Sequence, residues 1–166
     1  MSTIGIHAVR FGFVLSAILF GLLLGVLRWN PEIMLNDYPP DIKVRWGPMT
    51  PRTKRQRAVV AAIFLAVIIA VVAWSVETLP TAVSHQMTFA SMFGHFAIMF
   101  GIFNLLDFCV LDCALVYWQP RFAVLPGTEG MAGYRSYRFH FHGFLIGIPA
   151  TATAAAVCPA AVMWWM

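Results

Sequence analysis

Apolar residues along this chain fall into four long runs, not into short amphipathic segments. Phe11 to Leu27 lies between Arg10 and Arg28 and has only Ser16 as a polar side chain. Ala58 to Val76 follows a basic run and stops before Glu77. Phe89 opens a third run that stays mostly apolar to Trp118, and Gly143 to Trp165 is the fourth. A bilayer-spanning helix needs about 20 predominantly apolar residues. The pattern predicts an all-α, polytopic membrane protein with a single transmembrane domain over residues 1–166. Its four transmembrane helices are expected at about 11–27, 58–76, 89–117 and 143–165, joined on one side by loops 28–57 and 118–142. Pro149 and Pro159 should kink the fourth helix, because each removes an amide donor and crowds the preceding turn. The first run is longer than a signal-peptide core, and Arg28-Trp29-Asn30-Pro31 follows it in place of a cleavage site, so it reads as a retained helix.

Composition agrees. The chain is 60% hydrophobic and only 11% charged, against about 25% charged in soluble domains. A water-soluble fold of this size cannot hide so much apolar surface. The net charge of +4 is concentrated: ten of the eleven Lys and Arg residues lie in the two long loops, and only Arg10 lies in the N-terminal tail. The positive-inside rule then puts both long loops in the cytoplasm and the N- and C-termini outside. It also makes the charge a topology signal and argues against nucleic acid as a partner. Most tryptophans fall near span ends or in loops, as an aromatic belt requires. The three cysteines form no C-x-x-C pair and read as small buried thiols.

Small residues mark where helices approach closely in lipid. The first helix has Gly21 and Gly25, the second Ala62, Ala66 and Ala70, and the fourth Gly143, Gly147, Thr151 and Ala155. On the third, Ala90, Gly94, Ala97, Gly101 and Asn104 share one sector. These seams predict a four-helix bundle, or a homo-oligomer or larger membrane complex where a seam faces outward. The lipid bilayer is the one partner expected in either case.

The third segment raises a chemical question, because Asp107 and Asp112 lie inside it. At 1.5 Å per residue, Phe89 to Trp118 is about 45 Å long, against a hydrocarbon core of roughly 30 Å. Its carboxylate end should therefore sit at the cytoplasmic boundary, where ionised groups cost less than at the bilayer centre. On an ideal α-helix Asn104 and Asp107 are about 60° apart and share a face, while Asp112 lies about 140° from Asp107. The aspartates are not expected to stack. The fourth helix enters at the same depth through YRSYRFHFHGF, residues 134–144, which brings Tyr134, Arg135, Arg138, His140 and His142. Two residues apart on a helix point in nearly opposite directions, so only one of the two histidines can face the aspartates. Glu129 lies in the preceding loop.

Two further stretches in the long loops have local logic. In MTPRTKRQR, residues 49–57, Thr50 can N-cap a helix with Pro51 in its first turn. NDYPPDI, residues 36–42, reads as a turn in which Pro39-Pro40 blocks helix and Asp37 and Asp41 hold local backbone bonds; it is expected to dock near loop 119–142. The loop NDYPPDIKVRWGPMTPRTKRQ (36–56), VLPGTEGMAGYRSYRFHFHGF (124–144) and the preceding NLLDFCVLD resemble segments of small bacterial integral membrane proteins of uncharacterised function. The resemblance covers about half the chain. It implies a bacterial inner-membrane location and a four-span fold, and no activity.

The candidate site is thus a polar cluster of Asn104, Asp107, Asp112, Glu129, Tyr134, Arg135, Arg138, His140 and His142 at the cytoplasmic boundary. It would bind an ion or an anionic lipid or solute head group, and transport or process it. Asp107, Asp112, His140 and His142 are metal ligands by type, but their spacing names no metal and no other cofactor. Gly127, Gly130 and Gly133 could turn backbone amides toward an anion, or simply make a tight turn. A proton pathway would use His95, Asn104 and Asp107, although His95 lies about 180° from Asn104 around the helix. Paired histidines for haem are disfavoured: at the depth of His95 the fourth helix offers Cys158 and Thr153, and His7 and His85 are expected in outer loops. The competing reading is a non-catalytic accessory subunit whose polar residues pin the third helix to the fourth.

Overall fold

The computed structural model describes residues 3–79 and 88–165, and His85 lies outside them. Among the described residues, four helices are long and apolar enough to cross a membrane. Helix α1 (Thr3–Trp29) continues into a 3-10 segment, Pro31–Asp37, and a short helix α2 (Pro40–Trp46). Helix α3 is Pro51–Glu77. The third span is α4 (Phe89–Leu106), a π-helical turn over Asp107–Asp112, and α5 (Cys113–Trp118). Helix α6 is Tyr137–Trp165. There is no strand among the described residues.

Two of the spans begin at a side-chain cap that the sequence supplies. The Thr50 side chain accepts from the Thr53 amide, and Pro51 fills the first turn of α3, where no amide donor is needed. Thr88 and Ser91 form a reciprocal capping box at the start of α4. The α3 first turn holds Arg52, Lys54 and Arg55 where a negative charge belongs. Glu32, from the 3-10 segment, supplies that charge. Its carboxylate accepts from the Thr50 amide at 2.8 Å and the Thr53 hydroxyl at 2.6 Å.

Three helices extend beyond their apolar runs. Helix α1 starts eight residues before Phe11, and Ala8 is fully buried. His7, expected in an outer loop, is on this helix; its ring stacks on Phe11 and lies 5.4 Å from that of His95. Helix α3 takes in the basic run before Ala58. Helix α6 begins at Tyr137, before Gly143, so both His140 and His142 are helical. It runs through Pro149 and Pro159 as one continuous helix, and the Thr153 hydroxyl donates to the Pro149 carbonyl at 2.9 Å.

The spans contact in the order α3, α1, α4, α6, with α4 packed between α1 and α6. Their common core includes Leu15, Leu19, Met92, Phe96, Met99 and Ala155. Two glycines permit close approach: a Cβ on Gly12 would lie 2.9 Å from the Ile102 Cβ, and one on Gly147 would strike the Asn104 amide. The other small residues behave differently. Gly21 and Gly25 would place a Cβ in open space, and Ala62, Ala66 and Ala70 are exposed. The seams on the first two spans therefore face outward. So do Ile63, Leu65 and Ile69 of α3 and Leu145, Ile146 and Ile148 of α6, as lipid-facing residues should.

The two long connections fold together into a cap. Leu35, Tyr38, Ile42, Met49, Leu125 and Tyr134 form a second core beneath the bundle. The Tyr38 hydroxyl donates to the Ala123 carbonyl at 2.8 Å, and burial raises its pKa, keeping the proton in place. Segment 36–42 therefore does dock on loop 119–142. It is not the turn its sequence suggests, because Pro40 starts α2 at a position where proline costs nothing. Nor do its aspartates bond locally: Asp41 accepts from the Gly133 amide at 2.9 Å, and Asp37 lies 3.8 Å from Arg57.

Candidate functional site

The π-helical turn changes the geometry of the two aspartates. In an α-helix an amide reaches four residues back; in a π-helix it reaches five, so residues five apart come to one side. The Cys113 amide bonds the Phe108 carbonyl in this way. Asp107 and Asp112, five apart, consequently line the same cavity, which corrects the 140° separation of the ideal α-helix. Single π turns are frequent at functional sites because they re-aim side chains.

Helix α6 holds this turn in place. His140 Nδ1 lies 2.9 Å from an Asp112 carboxylate oxygen, with both side chains mostly buried. The Phe108 ring packs on Phe141 and Phe144 at 5.7 and 5.4 Å. One turn deeper, the Asn104 amide donates to the Phe144 carbonyl at 3.2 Å, so Asn104 reaches α6 and not Asp107. Among the described residues the Asp107 carboxyl has no hydrogen-bond or ion-pair partner.

The cavity has a volume of about 510 Å³. Its polar lining brings together Asn104, Asp107, Asp112, Tyr134 and His140, with Asp37, Tyr38 and Gln119 added by the connections. Leu23, Leu27, Phe64, Phe103, Phe108 and Phe144 make much of its apolar wall. No lysine or arginine lines it. The nearest basic partner is Arg57, which meets Asp37 from outside the lining.

Four candidate residues fall elsewhere. His142 is exposed, two residues along from His140 and on the other side of α6. Arg138 is exposed and does not line the cavity. Arg135 lines a separate pocket with Tyr117, Trp118 and Tyr137. Glu129 is exposed and accepts from the Gly127 amide at 3.0 Å; this backbone bonding lowers its pKa.

That last bond bears on the anion reading. Gly127 and Gly130 have positive φ and shape a turn. The Gly127 amide is occupied by Glu129 and the Gly133 amide by Asp41, so carboxylates of the chain itself fill the cradle. Metal ligation is limited to a pair, since no group of three or more His, Cys, Asp or Glu comes together among the described residues. His95 is fully buried against α1 at the far end of α4, remote from the cavity that Asn104 and Asp107 share.

Asn36, Asp37, Tyr38 and Gln119 are the polar lining residues that sequence reasoning did not place at the site. The docking of 36–42 was the available signal, because a tyrosine beside two prolines at that boundary has only the cap or the cavity to enter. Comparisons with protein-family models, with curated proteins and with solved structures return no match to this chain.

Proposed function

We propose that the protein is a multi-pass binding protein of a bacterial inner membrane, with both long loops in the cytoplasm, whose cavity takes a positively charged group at the cytoplasmic boundary. Of the two ligand classes that the polar cluster admits, an ion or an anionic head group, the cation is favoured. The observation that carries this is the lining: Asp37, Asp107 and Asp112 contribute carboxylates, no lysine or arginine lies among the lining residues, and Arg57 meets only Asp37, from outside. An anion would meet like charge from these carboxylates, whereas a cation finds Asp107 unpaired beside the Asp112–His140 contact. The basic residues outside the cavity keep their topological role against anionic head groups.

A second reading is supported by the Asp112–His140 contact. That pair ties the third span to the fourth and is what an accessory subunit would need. The native mass of protein released gently from lipid separates the two. A bound cationic species that disappears in Asp107→Asn supports the binding protein. A bare chain, or one carrying only another protein, supports the accessory subunit.

A further inference from the structure

Resting on the cation reading, we propose that the occupant of the cavity is a compact hydrophobic cation: a positively charged group on an aromatic or branched hydrocarbon body. Size is the first argument. About 510 Å³ falls in the range of organic-ligand pockets, roughly 300–1,000 Å³, and is far more than a bare ion fills. A bare metal ion also lacks ligands here, because Asp112 and His140 form only a pair.

The order of residues along each helix is the second. Phe103 lies about one turn deeper in its span than Asp107. Phe144 lies one turn deeper than His140, and Leu23 one turn deeper than Leu27, which neighbours the cap. Phe64 reaches the cavity from the middle of α3. The lining thus grades from carboxylates near the loops to aromatic rings within the span. A hydrophilic cation would leave those rings against water, and a neutral apolar solute would leave the Asp107 carboxyl with neither a hydrogen-bond partner nor a counter-charge. A hydrophobic cation satisfies both.

The test uses two probes of matched shape and opposite charge, tetraphenylphosphonium and tetraphenylborate, with the full purified chain in a non-ionic detergent. Equilibrium dialysis should show saturable binding of tetraphenylphosphonium, at least tenfold weaker in Asp107→Asn, and no saturable binding of tetraphenylborate. Gly143→Leu supplies a second variant. Gly143 lines the cavity and a Cβ there meets open space, so leucine fills the site while leaving both aspartates intact. It should weaken tetraphenylphosphonium at least tenfold.

Equal binding of the two probes, or binding unchanged in Asp107→Asn, overturns both this proposal and the cation reading beneath it. Asp107-dependent binding of putrescine or magnesium without tetraphenylphosphonium overturns the hydrophobic cation alone. Tetraphenylphosphonium binding that survives Gly143→Leu puts the probe elsewhere and also overturns it. Failure of every probe removes both.

Discussion

His140 Nδ1 sits 2.9 Å from the Asp112 carboxylate, and that contact joins the only π turn among the described residues to the first turns of α6. Both side chains are mostly buried, 17% and 23% exposed, so the pair is shielded more than a surface contact. His140→Ala and Asp112→Asn should each lower stability by about 1 kcal/mol. The double variant should cost little more than either single one. A double-mutant cycle of thermal unfolding in detergent measures that coupling, and additive losses would mean that the pair does not hold the helices together.

The π turn itself can be removed. Deleting Cys109, which is exposed within it, leaves Asp107 and Asp112 four apart on a continuous α-helix, about 40° from each other and still on one side. Helix content by circular dichroism and the coupling between residues 112 and 140 should both survive. A deletion variant that loses the coupling would show that the π geometry aims Asp112 by more than absorbing the extra residue.

Why the spans were legible and the site only partly so follows from these residues. Apolar runs of twenty residues have one physical outcome in lipid, so all four helices follow from the sequence. The caps Thr50 and Thr88 use short-range chemistry and are equally readable in principle, as is the opposed facing of His140 and His142. The π turn is different. DFCVLD contains nothing that forbids an α-helix, and what stabilises the insertion is tertiary: His140 and the rings of Phe141 and Phe144. An angle counted on an ideal helix therefore separated two aspartates that share a cavity. Glu129 and Arg135 fail for the same reason, since turn glycines and a 3-10 turn point them away from it.

Glu32 makes stability depend on pH in a definite direction. Burial would raise its pKa, but hydrogen bonds from the Thr53 hydroxyl and the Thr50 amide prevail, and the pKa falls below its ordinary 4.5. A carboxylate with a lowered folded-state value contributes its full stability above the ordinary value and loses it as pH falls through the lowered one. The cap should therefore weaken only in acid, below about pH 4.5. Glu32→Gln should lose about 2 kcal/mol at neutral pH and flatten the acid limb. Thermal unfolding between about pH 7 and pH 3 checks both; an acid limb as steep in Glu32→Gln would assign it to other groups.

Tyr134 tests the cap independently of the membrane. Its hydroxyl accepts from the Leu125 amide at 2.9 Å and pairs with the Thr128 hydroxyl at 2.7 Å, all in a buried setting. Tyr134→Phe keeps the ring against Tyr38 but leaves a buried amide unpaired, at a cost of about 1–3 kcal/mol. The loss should be local. Proteolysis within 120–136 should accelerate several-fold while the spans stay protected, and uniform loosening of spans and cap would show that the cap is not a separate cooperative unit.

Glycines on α1 separate packing within the chain from packing against lipid. Gly12 has Ile102 against it so closely that a Cβ would lie 2.9 Å from the Ile102 Cβ, and the atoms met are those of a branched side chain held in the bundle. Gly12→Ala should therefore push α1 from α4 and cost about 1–3 kcal/mol. Gly21 and Gly25 share the helix but meet nothing within 4 Å. Alanine at either should be neutral, or stabilising by about 0.5 kcal/mol through helix propensity. Thermal unfolding of the three variants in one detergent gives the comparison. If Gly21→Ala or Gly25→Ala destabilises as strongly as Gly12→Ala, another helix rests on that face, and a fall in oligomer mass on the same variants would identify it as a second copy of this chain.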